Sequence, residues 1–128
     1  MARILIVDDE ESDRLISRSI LQDAGHTLFF ASDGEAAHKV YDENAIDLVI
    51  TDLVMPRVNG LRLIRELKEK HPEAVVIAVS GVAADQLVVA ADLGAVRTLF
   101  KPVRPSLLLD AVDEALSSAG TGDPWRRR

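Results

Sequence analysis

Four places in the chain carry side chains with chemistry to offer: Asp8-Asp9, Asp52, Ser80 and Lys101. Each follows directly on a short apolar run: Ile4-Leu5-Ile6-Val7, Leu48-Val49-Ile50-Thr51, Ala74 to Val79, and Val96 to Phe100. Three carboxylates gathered at one place repel and raise one another's pKa unless a cation sits among them. A hard divalent ion with oxygen ligands, Mg2+ by preference, meets that need and keeps water and room for a phosphoryl group. A hydroxyl and an ammonium opposite it supply a hydrogen bond and a charge partner to phosphoryl oxygens. Singly, each residue has a plainer role: Asp8 and Asp9 as helix-start acids, Asp52 as a loop cap, Ser80 as a turn residue, Lys101 as a solvated lysine. Their shared position after an apolar run argues for one common site.

The elements that would position them follow from the hydrophobic pattern. Short, β-branched runs bounded by polar residues read as fully buried strands of a parallel sheet. Between them lie helical segments: about Ser12 to Ala24 with a stripe of Leu15, Ile16, Ser19, Ile20 and Asp23, Glu35 to Tyr41 after the Ser32-Asp33-Gly34 turn, and Leu61 to Lys68 before His71-Pro72. Two more run from Ala83 to Leu93 and from Pro105 to Ser117. Gly25 and Gly94 suit helix ends, and Thr27 to Ala31 completes a set of five strands. Strand–helix alternation of this kind gives a doubly wound parallel sheet with right-handed crossovers. All strand ends then share one edge, where ligands of open α/β sheets bind.

Composition sets the outer bounds. The 128 residues suit one domain, expected over residues 1–117, with residues 118–128 as a flexible tail. A formal net charge of -6 and a pI near 5.0 disfavour nucleic-acid or anionic-membrane binding by this domain. The absence of cysteine excludes disulfides, thiolate metal sites and thiol nucleophiles. No signal peptide or membrane span is apparent, so a cytoplasmic protein is expected. Neither a Gly-x-Gly-x-x-Gly nor a Gly-Lys-Ser/Thr loop occurs. His26, His38 and His71 read as scattered surface residues, and Trp125 to Arg128 as a solvated basic end.

The stretches Ile4-Leu5-Ile6-Val7-Asp8-Asp9-Glu10, Asp52 with Pro56 and Gly60, Val79-Ser80-Gly81 and Lys101-Pro102 together resemble the receiver domains of bacterial two-component response regulators. The likeness runs from Arg3 to about Leu116. It implies a CheY-like, flavodoxin-like (βα)5 fold with strand order 2-1-3-4-5. It further implies that Asp52 accepts a phosphoryl group from a histidine kinase or histidine phosphotransfer protein. Asp8, Asp9, Asp52 and the backbone carbonyl of Val54 would hold Mg2+, and Ser80 and Lys101 would engage the phosphoryl group. Lys101-Pro102 would be a cis peptide, with Pro102 aiming Lys101. Such a domain carries a signal and is not a conventional enzyme beyond the chemistry at its own aspartate.

Several residues depart from the family pattern. The aromatic residue usual three positions before the lysine is Thr98 here, so switching is expected to rely on the chain after Ser80 and the next helix. Val54 and Val82, two residues past Asp52 and Ser80, cannot orient a water, which predicts a persistent phosphoaspartate. Leu87 to Ala91 and Leu107 to Leu109 make the fourth and fifth helices apolar beyond one stripe. An output protein or a homodimer is expected across them and the fifth strand, without the salt-bridged dimer of acidic relatives, because Val96-Arg97 replaces the acidic pair. Without a DNA-binding or catalytic output segment, the chain reads as a stand-alone regulator; a module of a longer regulator or hybrid kinase is the alternative. An aspartate-nucleophile phosphatase is disfavoured because Val54 stands where such enzymes carry a second aspartate.

Overall fold

The computed structural model describes residues 2–54, 59–81 and 84–121. In chain order the elements are β1 (Arg3–Val7), α1 (Glu11–Asp23), β2 (Thr27–Ala31), α2 (Gly34–Glu43), β3 (Leu48–Asp52), α3 (Gly60–Lys70), β4 (Val76–Ser80), α4 (Ala84–Asp92), β5 (Arg97–Phe100) and α5 (Pro105–Thr121). The strands form one parallel sheet in the order β2-β1-β3-β4-β5, as the resemblance implies. Met55 to Val58, Val82, Ala83 and residues 122–128 lie outside the described residues, and so do the expectations for Pro56, Val82 and the basic end.

Strand side chains alternate, and each parity feeds its own core. Ile4, Ile6, Leu48, Ile50, Ile77, Val79 and Leu99 pack with Leu21 of α1 and with Leu108, Ala111, Val112 and Ala115 of α5. Leu5, Val7, Val49, Val76 and Ala78 pack on the opposite face with Ala37, Leu63, Ile64, Leu67 and Ala90 of α2, α3 and α4. Both sheet faces are therefore covered, which is why the strands read as continuous apolar runs.

Local chemistry fixes the helix ends. The Asp33 carboxylate accepts from the Ala36 N–H, and Asn59 Oδ1 accepts from the Leu61 and Arg62 N–H groups. Gly25 (φ 92°) and Gly94 (φ 115°) adopt the left-handed backbone that ends α1 and α4. α5 passes the expected boundary at Ser117 and runs to Thr121, because Ser and Ala are tolerated in a helix and Gly120 costs only ~1 kcal/mol there. Arg97 of β5 and Glu114 of α5 form an ion pair across that corner.

α1 departs from the expected stripe. Leu15 and Ile16 are 55% and 59% exposed, whereas Leu21 is fully buried. The inward face is instead Asp13, Ser17, Ile20 and Leu21, spaced by three and four residues. The stripe was masked because polar Asp13 and Ser17 hold the turns closest to the strand ends.

The candidate phosphoacceptor site

Period-two alternation sends Asp8 and Asp52 to the same side of the sheet as Ile6 and Ile50, toward α1 and α5. Lys101, two residues after Leu99, arrives on that side too. The three polar groups converge at the C-terminal edge. Lys101 Nζ donates to Asp52 Oδ2 at 2.7 Å and stands 3.5 Å from Asp8 Oδ2. The Lys101-Pro102 peptide is cis. Beneath them a cavity of about 170 Å³ opens between α1 and the sheet, lined by Asp8, Asp13, Ile16, Asp52 and Lys101 among others.

Each acid is fixed by backbone donors. The Val54 N–H donates to Asp52 Oδ1 at 3.1 Å, and the Glu10 N–H donates to Asp8 Oδ1 at 2.9 Å. Asp52 Oδ2 thus faces the ammonium while Oδ1 is held by the loop that follows. Arg14 of α1 donates to the Asp8 carbonyl at 2.6 Å, tying the helix to the strand end. Gly60 closes the far side. Its N–H donates to the Leu53 carbonyl at 3.2 Å, bringing α3 against the end of β3.

Electrostatics follow from this crowding. Burial pushes the Asp8 carboxyl above the usual carboxylate range, opposed by the Glu10 N–H and the Lys101 charge and reinforced by the Asp52 charge. Burial alone would lower the Lys101 pKa. Hydrogen bonds to Asp13 and Asp52, with the charges of Asp52 and Asp8, outweigh it and hold the ammonium well above its ordinary value. Lys101 is therefore a fixed cation.

Asp13 joins the site without having been expected there from the sequence. It lies one turn into α1, and its Oδ2 accepts from Lys101 Nζ at 2.8 Å. Carboxylate oxygens of Asp8, Asp13 and Asp52 all lie within 4.8 Å of one another. Asp9, half-exposed after β1, stands outside that trio. The i, i+4, i+8 spacing of Asp13, Ser17 and Leu21 is the signal that could have placed Asp13 inward. An all-oxygen, hard donor set of this kind fits a divalent cation such as Mg2+.

Ser80 is fully buried at the end of β4, where its carbonyl accepts from the Lys101 N–H at 2.9 Å. Thr98 is half-buried opposite Ala78, and Phe100, two residues on, is 52% exposed. Val54 is 45% exposed and bridges to Asn59. His38 and His71 are part-exposed surface groups, as expected, and each is paired with a carboxylate. His38 Nε2 lies 3.0 Å from Glu66 Oε1, and His71 Nε2 lies 3.1 Å from Asp42 Oδ1, so both link α2 to α3 or the turn after it.

The sequence model of the response regulator receiver domain matches residues 4–113. The chain belongs to that family. It is 32% identical to the chemotaxis protein CheY of Thermotoga maritima over 114 residues, covering 88% of this chain and 95% of CheY. It is 35% identical to the aerobic respiration control protein ArcA of Escherichia coli, covering 97% of this chain but only 53% of ArcA. Similarity to the sensor kinase CckA of Brucella abortus, at 38% identity, takes in 66% of this chain and 9% of the kinase. A receiver domain from Clostridium thermocellum superposes with a TM-score of 0.87 at 32% identity, covering 91% of this chain and 95% of that one. The chain therefore spans nearly all of some relatives and a fraction of others. Among the described residues no helix is long and apolar enough to cross a membrane.

Proposed function

We propose that this receiver domain accepts a phosphoryl group on Asp52 from the phosphohistidine of a histidine kinase or histidine phosphotransfer protein. The observation that carries this reading is the 2.7 Å contact between Lys101 Nζ and Asp52 Oδ2, at a sheet edge shared with Asp8. A lone capping aspartate has no need of a half-buried ammonium and two neighbouring carboxylates.

In the step itself an Asp52 carboxylate oxygen attacks phosphorus in line, the P–N bond breaks, and its electron pair returns to the imidazole. Asp8, Asp9 and Asp52, with the Val54 carbonyl, would hold Mg2+. When bound, the ion supplies charge stabilisation to phosphoryl oxygens. Lys101 offers its ammonium to a phosphoryl oxygen in place of the Asp52 oxygen it now holds. The Val54 N–H orients the attacking carboxylate. Ser80, at the end of β4, donates its hydroxyl to a second phosphoryl oxygen, and its movement with the chain that follows biases the surface read by a partner. That surface is the face of α4, β5 and α5, where Val88, Val89, Val96, Phe100 and Leu107 are exposed. An output protein or a second copy would dock there. The domain is a signal carrier; its chemistry ends at its own aspartate.

The test is incubation with a small acyl phosphate and Mg2+, followed by intact mass. One phosphoryl addition is expected in the wild type and none in Asp52→Asn. Addition elsewhere, or turnover of a phosphoester without modification of the protein, would sink the reading.

A further inference from the structure

Lys101 Nζ is shared among three acids, and only two of them belong to the sheet edge where the phosphoryl group is proposed to land. The third, Asp13, comes from α1 and lies 88 residues away in sequence. Its oxygen is as close to the ammonium (2.8 Å) as that of Asp52 (2.7 Å), and closer than that of Asp8 (3.5 Å). Asp13 is also the most solvent-accessible of the three, 38% exposed against 9% for Asp52 and 10% for Asp8.

These contacts set up a competition. A divalent cation entering the edge needs the oxygens of Asp8 and Asp52, which the ammonium already occupies. Without an alternative acceptor, Lys101 would hold both carboxylates against the incoming ion. After phosphoryl transfer one Asp52 oxygen carries the phosphoryl group as an acyl phosphate, and the ammonium must exchange that oxygen for a phosphoryl oxygen. An acceptor outside the reacting set resolves both problems, because Lys101 can lean on it while Asp52 changes state.

We propose that Asp13 is the positioning residue for Lys101: it draws the ammonium off Asp8 and Asp52 so that Mg2+ can bind, and it keeps the ammonium at the edge after transfer. The role rests on the reading of Asp52 as phosphoacceptor. In this role Asp13 acts through Lys101; its carboxylate also lies within 4.8 Å of those of Asp8 and Asp52, so the test must separate positioning from direct metal ligation.

The experiment is a double-mutant cycle on Mg2+ affinity, measured by calorimetry without any phosphodonor, on the wild type, Asp13→Asn, Lys101→Met and the double variant. Asp13→Asn keeps the size of the side chain and removes its charge. It is expected to weaken Mg2+ binding roughly three- to tenfold, the scale of one partly exposed charge interaction. In the Lys101→Met background the same substitution is expected to change nothing, since no ammonium remains to be drawn away. An undiminished loss in that background would make Asp13 a metal ligand or a plain distant charge, and would overturn the proposal. So would unchanged affinity in the Asp13→Asn single variant. A second readout uses the small acyl phosphate: Asp13→Asn should raise the Mg2+ concentration for half-maximal phosphorylation and recover most of the rate at saturation. A rate equally depressed at every Mg2+ concentration would count against the mechanism. Failure of the wild type to be phosphorylated would remove the parent reading while leaving the Mg2+ cycle interpretable, so the two can be told apart.

Discussion

The backbone of Gly60 presses directly against the backbone of Asp52. A Cβ on Gly60 would fall against the Asp52 carbonyl oxygen and 2.6 Å from the Leu53 Cα, both backbone atoms that cannot rotate away. The first residue of α3 is thus the abutment for the end of β3. Gly60→Ala would push β3 and α3 apart where Asp52 meets Lys101. We expect a stability loss of roughly 1–3 kcal/mol, the usual range for overpacking a fitted site, read as a shift of the urea midpoint. Phosphorylation by a small acyl phosphate should slow as well, whereas Gly81→Ala, whose added carbon comes no nearer than 3.3 Å to the Lys101 Cβ, should be milder in stability.

Val54 stands at the mouth of the site with 45% of its surface exposed, while its N–H is committed to Asp52. An apolar, β-branched side chain there can neither hold nor activate a water on the line of attack. The phosphoaspartate is expected to last minutes or longer. Val54→Asn or Val54→Glu should shorten it several-fold, measured as loss of phosphoryl mass after donor removal. No acceleration in either variant would show that the persistence has another source.

Much of this site was legible before any coordinates. Strands buried on both faces leave a simple imprint, an apolar run closed by a polar residue, so Asp8, Asp52, Ser80 and Lys101 could be placed on one edge from pattern alone. Asp13 could not. A helix over a sheet edge has an inward face whose end nearest the ligand site is polar, and periodicity scored on apolar residues slides to the wrong face. Leu15 and Ile16 pulled the α1 stripe toward solvent for that reason. The α2–α3 seam was equally hidden, because the links of His38 to Glu66 and His71 to Asp42 join residues 28 and 29 positions apart.

That seam yields a pH dependence. Hydrogen bonds from His38 and Arg62 hold the Glu66 carboxyl below the usual carboxylate range, with a smaller opposing effect of burial. A carboxylate whose folded pKa is depressed contributes stability above its unfolded pKa and loses it as pH falls through the folded value. Glu66 is about one-third exposed, so solvent screening limits the contribution to about 1 kcal/mol or less. Glu66→Gln should be less stable than the wild type at neutral pH by that amount. The gap should close as the solution is acidified below the ordinary glutamate range. A gap that stays constant through acid would assign the effect to packing and not to charge.

Thr98 stands where the resemblance to receiver domains implies an aromatic switch residue. It is half-buried opposite Ala78 of β4, beside the strand that ends in Ser80. Its short side chain has no large rotamer to exchange. Thr98→Ala is therefore expected to leave phosphorylation-dependent binding of a partner within about twofold of the wild type, the scale of a surface-like change. Loss of that dependence would restore Thr98 as the switch.

On the proposed reading, a donor protein's approach would be guided by where apolar surface lies beside the site. Ile16 lines the same cavity as Asp52 and Lys101 and is nonetheless 59% exposed, and Leu15 beside it is 55% exposed. If Asp52 is the phosphoacceptor as proposed, two large aliphatic side chains on the neighbouring helix would give a donor protein a foothold to bury while its phosphohistidine reaches Asp52. A small acyl phosphate needs no such foothold. Leu15→Ser and Ile16→Ser should therefore slow transfer from a cognate kinase, with the loss in the binding-dependent rate, and leave phosphorylation by the small donor nearly unchanged. Equal slowing with both donors would mean that the substitutions disturb the Asp13–Lys101 geometry from within α1, and the foothold would then have to be sought on another element at the same edge.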